Sequence, residues 1–134
     1  MEEVVKIVQE LKSGKTKPIY FLQGEEPYYI DRLADFIQHD ILNELEKEFN
    51  LTVLYGKDVS VEDIVSQAKR FPMMADKQVV IVKEAQDLSK QIDKLENYFT
   101  NPQPSTLLVF CYKYGTLDKR KKVAKLIAQN GVLF

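Results

Sequence analysis

Among the stretches of this 134-residue chain that are apolar without interruption are Val79-Val80-Ile81-Val82 and Leu107-Leu108-Val109-Phe110-Cys111-Tyr112. A strand with one face in water alternates polar and apolar side chains. A strand apolar at every position has both faces covered, as happens inside a parallel sheet flanked by helices. Pro18 to Gln23, Leu51 to Tyr55 and Val132 to Phe134 read as three further strands. Few folds place five such runs in one short chain unless helices return the chain between them.

The intervening segments carry helical periodicity. Val4, Val5, Val8 and Leu11 recur at helical spacing until Ser13-Gly14-Lys15 ends the run. Pro27 suits a first helical position, and Tyr29, Ile30, Leu33, Phe36, Ile37, Ile41, Leu42 and Leu45 form one broad stripe, which predicts the longest helix of the chain. Gly56-Lys57-Asp58 is a turn, and Ser60-Val61-Glu62-Asp63 has the form of a capping box opening a helix through Arg70 that Pro72 stops. Ser89 to Thr100 reads as helix, ended by Asn101-Pro102-Gln103-Pro104, and Leu117 to Asn130 as a basic helix closed by Gly131. The alternation predicts an α/β domain of three layers, α/β/α, with a five-stranded, mostly parallel sheet and right-handed crossovers.

One domain accounts for a chain of this length. The 19 Lys and Arg against 20 Asp and Glu leave a net charge of -1, so no global basic field points to nucleic acid. The N-terminus is acidic and amphipathic, unlike a secretory signal, and no apolar run approaches a membrane span. A single cysteine, Cys111, excludes an internal disulfide framework and a cysteine-cluster metal site. These features predict a cytoplasmic protein with no membrane partner. The chain stops where a fifth strand would be completed, which suits part of a longer protein.

A strand followed by Gly24-Glu25-Glu26-Pro27 and a long helix is where a phosphate loop would stand. The chemistry of such a loop needs glycine-rich amides, a lysine and a Ser or Thr for magnesium, the GxxxxGK[ST] pattern. Here one glycine is followed by two carboxylates, which suit the positive end of a helix dipole and repel a polyphosphate. At the end of the third strand, Lys83 stands where magnesium would need a carboxylate, and Glu84 alone cannot assemble the site. Gly24, Glu25 and Glu26 thus mark a degenerate phosphate-loop position without nucleotide.

The remaining chemical candidates are thin. His39 is the only histidine and has no second imidazole or thiol for a metal; Cys111 lies within an apolar strand as a small hydrophobe; Glu44 and Glu48 form a solvated helix face. No metal or cofactor is expected. Tyr20, Tyr28 and Tyr29 lack the basic interleaving of a base-stacking platform and read as core and cap residues. Lys119, Arg120, Lys121, Lys122 and Lys125 make a basic cluster that reads chiefly as a solvated helix face, with Val123, Leu126 and Ile127 packing inward. Lys119, Arg120 and Lys122 are the candidates for direct nucleic-acid contact.

Phe71-Pro72-Met73-Met74 is different. Three large apolar side chains stand in a connection between helix and strand, where chains normally run over the surface. Proline fixes the corner, and methionine adapts readily to a partner's pocket, so the segment predicts partner binding.

Three stretches together resemble the delta-subunit family of bacterial DNA polymerase III, a clamp-loader family with a degenerate AAA+-type fold. They are Pro18 to Tyr28, Asp63 through Phe71-Pro72-Met73-Met74 to Val82, and Leu117-Asp118-Lys119-Arg120-Lys121-Lys122. The resemblance spans nearly the whole chain and implies a P-loop-like sheet of strand order 5-1-4-3-2, residues 1–134 being an N-terminal AAA+-like module to which further helical domains are joined. It implies a subunit of the DNA-directed DNA polymerase holoenzyme that is not itself the ATPase. Its expected partners are the sliding clamp, bound through Met73 and Met74 with Phe71 and Pro72 flanking, the other clamp-loader subunits, and DNA indirectly within the complex. Other members carry leucine and phenylalanine where this chain has Met73 and Met74. The alternatives are a nucleotide-binding or phosphoryl-transfer domain on the same fold, and a DNA-binding domain acting through the basic C-terminal helix.

Overall fold

A computed structural model describes residues 2–134. The elements run α1 (Glu2–Lys12), β1 (Ile19–Gly24), α2 (Tyr28–Asp40), α3 (Glu44–Asn50), β2 (Leu51–Tyr55), α4 (Val61–Ala68), β3 (Gln78–Lys83), a 3₁₀ segment (Ala85–Leu95), α5 (Glu96–Thr100), β4 (Thr106–Lys113), α6 (Lys122–Asn130) and β5 (Val132–Leu133). The five strands form one sheet in the order β2-β3-β4-β1-β5, and every strand pair is parallel. Read from the other edge, this is the order 5-1-4-3-2.

Strand periodicity sorts the core into two layers. Ile19, Phe21, Val80, Val82, Leu108 and Phe110 face α4, the 3₁₀ segment and α6, with Phe99 of α5 against Phe110. Tyr20, Leu22, Val79, Ile81, Leu107, Val109 and Cys111 face α1 and α2. The residues of β3 and β4 are buried almost throughout, because each strand packs on both faces. Burying one such Val, Leu, Ile or Phe side chain contributes roughly 1.5–3 kcal/mol, so these central strands dominate the cohesion of the domain. At the sheet edge, Gly131 lets β5 draw alongside β1, because a Cβ there would run into the Ile19 carbonyl and side chain.

Three helix readings are corrected. The stripe from Tyr29 to Leu45 is not one helix: α2 ends at Asp40, and Asn43 starts α3 with a capping box, its side chain accepting the Glu46 N–H at 2.8 Å while Glu46 accepts the Asn43 N–H at 3.0 Å. Ile41 and Leu42 keep the apolar spacing through the break, and Leu45 points outward. The first helix stands as read: α1 ends at Lys12, Ile7 and Leu11 are buried, Val4 and Val8 pack beside them, and Val5 is exposed. The segment Ser89 to Thr100 belongs to a 3₁₀ run that begins at Ala85, followed by the short α5. The last helix starts at Lys122, not Leu117, because Asp118 folds back on the Arg120 backbone and side chain and holds this stretch as a turn. Lys119 and Arg120 therefore lie before α6, whose buried residues are Val123, Ala124 and Ile127, Leu126 being half-buried.

Candidate functional site

The turn after β1 is built around carboxylates. Gly24 sits at φ +149°, a conformation open to glycine, and is held by an antiparallel bridge to the β4 exit: its N–H donates to Gly115 O at 3.1 Å, and Tyr114 N–H donates to its carbonyl at 2.8 Å. Glu25 and Glu26 are exposed. One Glu26 carboxylate oxygen accepts the Tyr28 N–H at 3.2 Å, so an acidic side chain takes a free amide of the first turn of α2. That is the amide position an anion would seek.

The ends of β3 and β4 close the neighbouring crevice with ion pairs. Lys113 Nζ lies 2.9 Å from Asp31 and 3.4 Å from Glu84, while Glu84 also accepts from Gln86 Nε2 at 2.8 Å. Desolvation pulls the Lys113 pKa down, but Asp31 and Glu84 more than offset it and leave it raised. The cleft between these groups is only about 110 Å³. Cys111 lines it with a thiol that burial pushes up to about 12, partly countered by Lys113 and Lys83. Such a thiol is protonated and a poor nucleophile at neutral pH.

The basic segment is partly neutralised within the molecule. Arg120 forks onto Asp118 through Nε at 3.1 Å and Nη2 at 2.9 Å, holding the Asp118 carboxyl below its usual range, and Lys121 reaches Asp93 at 3.4 Å. Lys119 and Lys122 are exposed, on the loop and the first turn of α6 respectively. His39 is exposed, its Nδ1 lying 2.8 Å from the Asp35 carbonyl. Among the described residues no group of three His, Cys, Asp or Glu could hold a metal, and no helix is long and apolar enough to cross a membrane.

The corner after α4 stands out. Phe71 is 78% exposed, Met73 51% and Met74 92%, with Pro72 half-buried between them. These apolar side chains project from a braced backbone. Gln78 Nε2 donates to Arg70 O at 2.6 Å and to Thr106 Oγ1 at 2.9 Å, and Thr106 Oγ1 donates to Ala68 O at 2.7 Å, so the last carbonyls of α4 are satisfied from the sheet. On the other side, buried Asn50 accepts the Met73 N–H at 2.7 Å and donates to the Met73 carbonyl at 2.8 Å. Met74 then adopts φ +56°, which a long side chain rarely occupies and which persists only where the surroundings hold it.

The exposure of Phe71, Met73 and Met74 follows from their place in the sequence, whereas the supports of the corner do not. Asn50, Gln78 and Thr106 carry no local signal for this role, because their partners lie in other elements; the only hint is that Gln78 and Thr106 are polar residues opening strongly apolar strands. Nor does the sequence single out Phe49, which stands exposed beside Leu45 on α3.

Comparison with known proteins adds the following. The sequence profile of the family "DNA polymerase III, delta subunit" matches residues 20–134. DNA polymerase III subunit delta of Bacillus subtilis is 27% identical over 139 residues, covering 97% of this chain and 40% of the relative. The solved structure of the B. subtilis DNA clamp loader delta protein superposes with a TM-score of 0.81 at 28% identity, covering 96% of this chain and 40% of that one. A DNA polymerase III gamma subunit-related protein of Thermotoga maritima shares the fold alone, at a TM-score of 0.61 and 9% identity over 94% of this chain. The chain thus spans about two fifths of the length of the delta proteins it matches.

Proposed function

The chain belongs to the DNA polymerase III delta-subunit family, and from that premise we propose that it is the clamp-docking module of a clamp loader in DNA replication. Residues 1–134 form the N-terminal AAA+-like module, and the rest of the longer protein joins it to the other clamp-loader subunits in the cytoplasm. Met73 and Met74 seat on the sliding clamp, with Phe71 and Pro72 shaping the edge of the contact.

One observation carries this reading: large apolar side chains stand out from a backbone that Asn50 fixes at both polar atoms of Met73. Burying what remains exposed of Met73 and Met74, half of one residue and nearly all of the other, would contribute roughly 2–4 kcal/mol before the costs of association, enough to anchor a reversible complex. A surface that binds the opened ring better than the closed one shifts the ring towards opening without any chemistry in this domain. The carboxylates at the β1–α2 turn and the Lys113 ion pairs suit a non-catalytic subunit that leaves ATP to its neighbours. DNA is met within the complex rather than by this domain alone.

The test is a titration of the cognate sliding clamp with the full-length protein, wild type and Met73→Ala/Met74→Ala. The expected result is a loss of affinity of about tenfold or more, as for truncation of central apolar anchors. Equal affinity of the two proteins would remove the corner from the interface.

A further inference from the structure

Of the nine large hydrophobic residues exposed among those described, five come from α3 and the corner: Leu45, Phe49, Phe71, Met73 and Met74. Leu45 and Phe49 are 75% and 58% exposed and stand four positions apart, so they are neighbours on one side of α3. The buried residue of that helix is Asn50, the residue that grips Met73, so neither Leu45 nor Phe49 is needed for the core. Together with Met73 and Met74 they line a cleft of about 280 Å³, edged by Asn43 and Glu46. Asn43 and Glu46 each commit one side-chain oxygen to the capping box, and the other four lining residues are apolar. The cleft therefore asks for an apolar group.

Resting on the reading that Met73 and Met74 dock on the sliding clamp, we propose that Leu45 and Phe49 form the second wall of the same docking surface, and that an apolar side chain of the clamp enters the cleft between the walls. The occupant follows from continuity. Met73 and Met74 line the cleft as well as the corner, so a partner seated on them covers the cleft too, and Asn50 holds the two walls in fixed register. Contact is reciprocal: the methionines cover clamp surface while the clamp fills the gap beside α3. Knob-and-cleft interlocking of this kind is how interface anchors become desolvated.

The experiment measures clamp affinity by surface plasmon resonance for full-length wild type, Leu45→Ser/Phe49→Ser, Phe49→Leu and Met73→Ala/Met74→Ala, with melting temperature as a fold control and sedimentation of each protein without clamp. Leu45→Ser/Phe49→Ser should lose about tenfold or more in affinity at an unchanged melting temperature, and Phe49→Leu should keep most of it. Wild-type affinity in Leu45→Ser/Phe49→Ser, with loss in the methionine variant, overturns the second wall and leaves the corner standing. No loss in the methionine variant overturns both. A wild-type protein that sediments as a dimer and becomes monomeric in Leu45→Ser/Phe49→Ser, at unchanged clamp affinity, assigns the cleft to a second copy of the chain and also overturns the proposal.

Discussion

Asn50 and Met73, 23 positions apart in sequence, exchange two hydrogen bonds, the asparagine carboxamide acting as acceptor for the Met73 N–H at 2.7 Å and donor to its carbonyl at 2.8 Å. This is the pairing a neighbouring strand would give, supplied by one side chain. The Asn50 amide also reaches Glu46 O at 2.9 Å, so the end of α3 is tied to the corner at a single residue.

Asn50→Ala should separate presentation from contact. It leaves Met73 and Met74 intact but strips both backbone groups of Met73 of their partner, at a cost of about 1–3 kcal/mol in stability. On the proposed docking, clamp affinity should fall although Met73 and Met74 are unchanged, because the corner must then be ordered on binding. Urea denaturation and clamp titration on the same protein check both effects; undiminished affinity would show that the corner needs no bracing.

Gln78→Ala should act through the other support. Its carboxamide reaches the Arg70 carbonyl and Thr106, and Thr106 reaches the Ala68 carbonyl, so the substitution leaves the end of α4 short of donors inside the protein. The expected cost is about 1–3 kcal/mol, and Gln78→Ala/Thr106→Val should cost less than the sum of the single changes, since the two residues share one network. Chemical denaturation of the three variants reads the coupling directly.

Alkaline conditions should weaken the fold through Cys111. Its folded-state pKa of about 12 lies above the ordinary 9.0. Between these values the unfolded chain has released the thiol proton and the folded chain keeps it, so stability is fully present below pH 9 and falls as pH rises towards 12. Cys111→Ala should flatten that part of the decline when unfolding is followed as a function of pH. In the native protein at pH 8, a thiol reagent should react at Cys111 only as fast as the fold opens.

The strands were legible because burial on both faces leaves uninterrupted apolar runs, and β3 and β4 had no other reading. The corner was legible for the converse reason, since Phe71, Met73 and Met74 stand next to a proline where neither helix nor strand can absorb them. The break between α2 and α3 was hidden because Ile41, Leu42 and Leu45 continue the helical spacing across it, and the Asn43 capping box is a weaker signal than a stripe. The start of α6 was hidden because a run of lysines is compatible with helix, whereas the Asp118–Arg120 fork that keeps it out of the helix is a geometric fact. Asn50 was hidden most completely. A polar residue before a strand looks like a loop residue until the segment around Met73 is brought beside it.

Asn50 is also the residue immediately before Leu51, the first of β2. A pull on Met73 therefore runs through two hydrogen bonds into the root of a strand, and from there into the sheet. The corner is thus moored to the sheet at its own midpoint instead of hanging from its two ends as a free loop would.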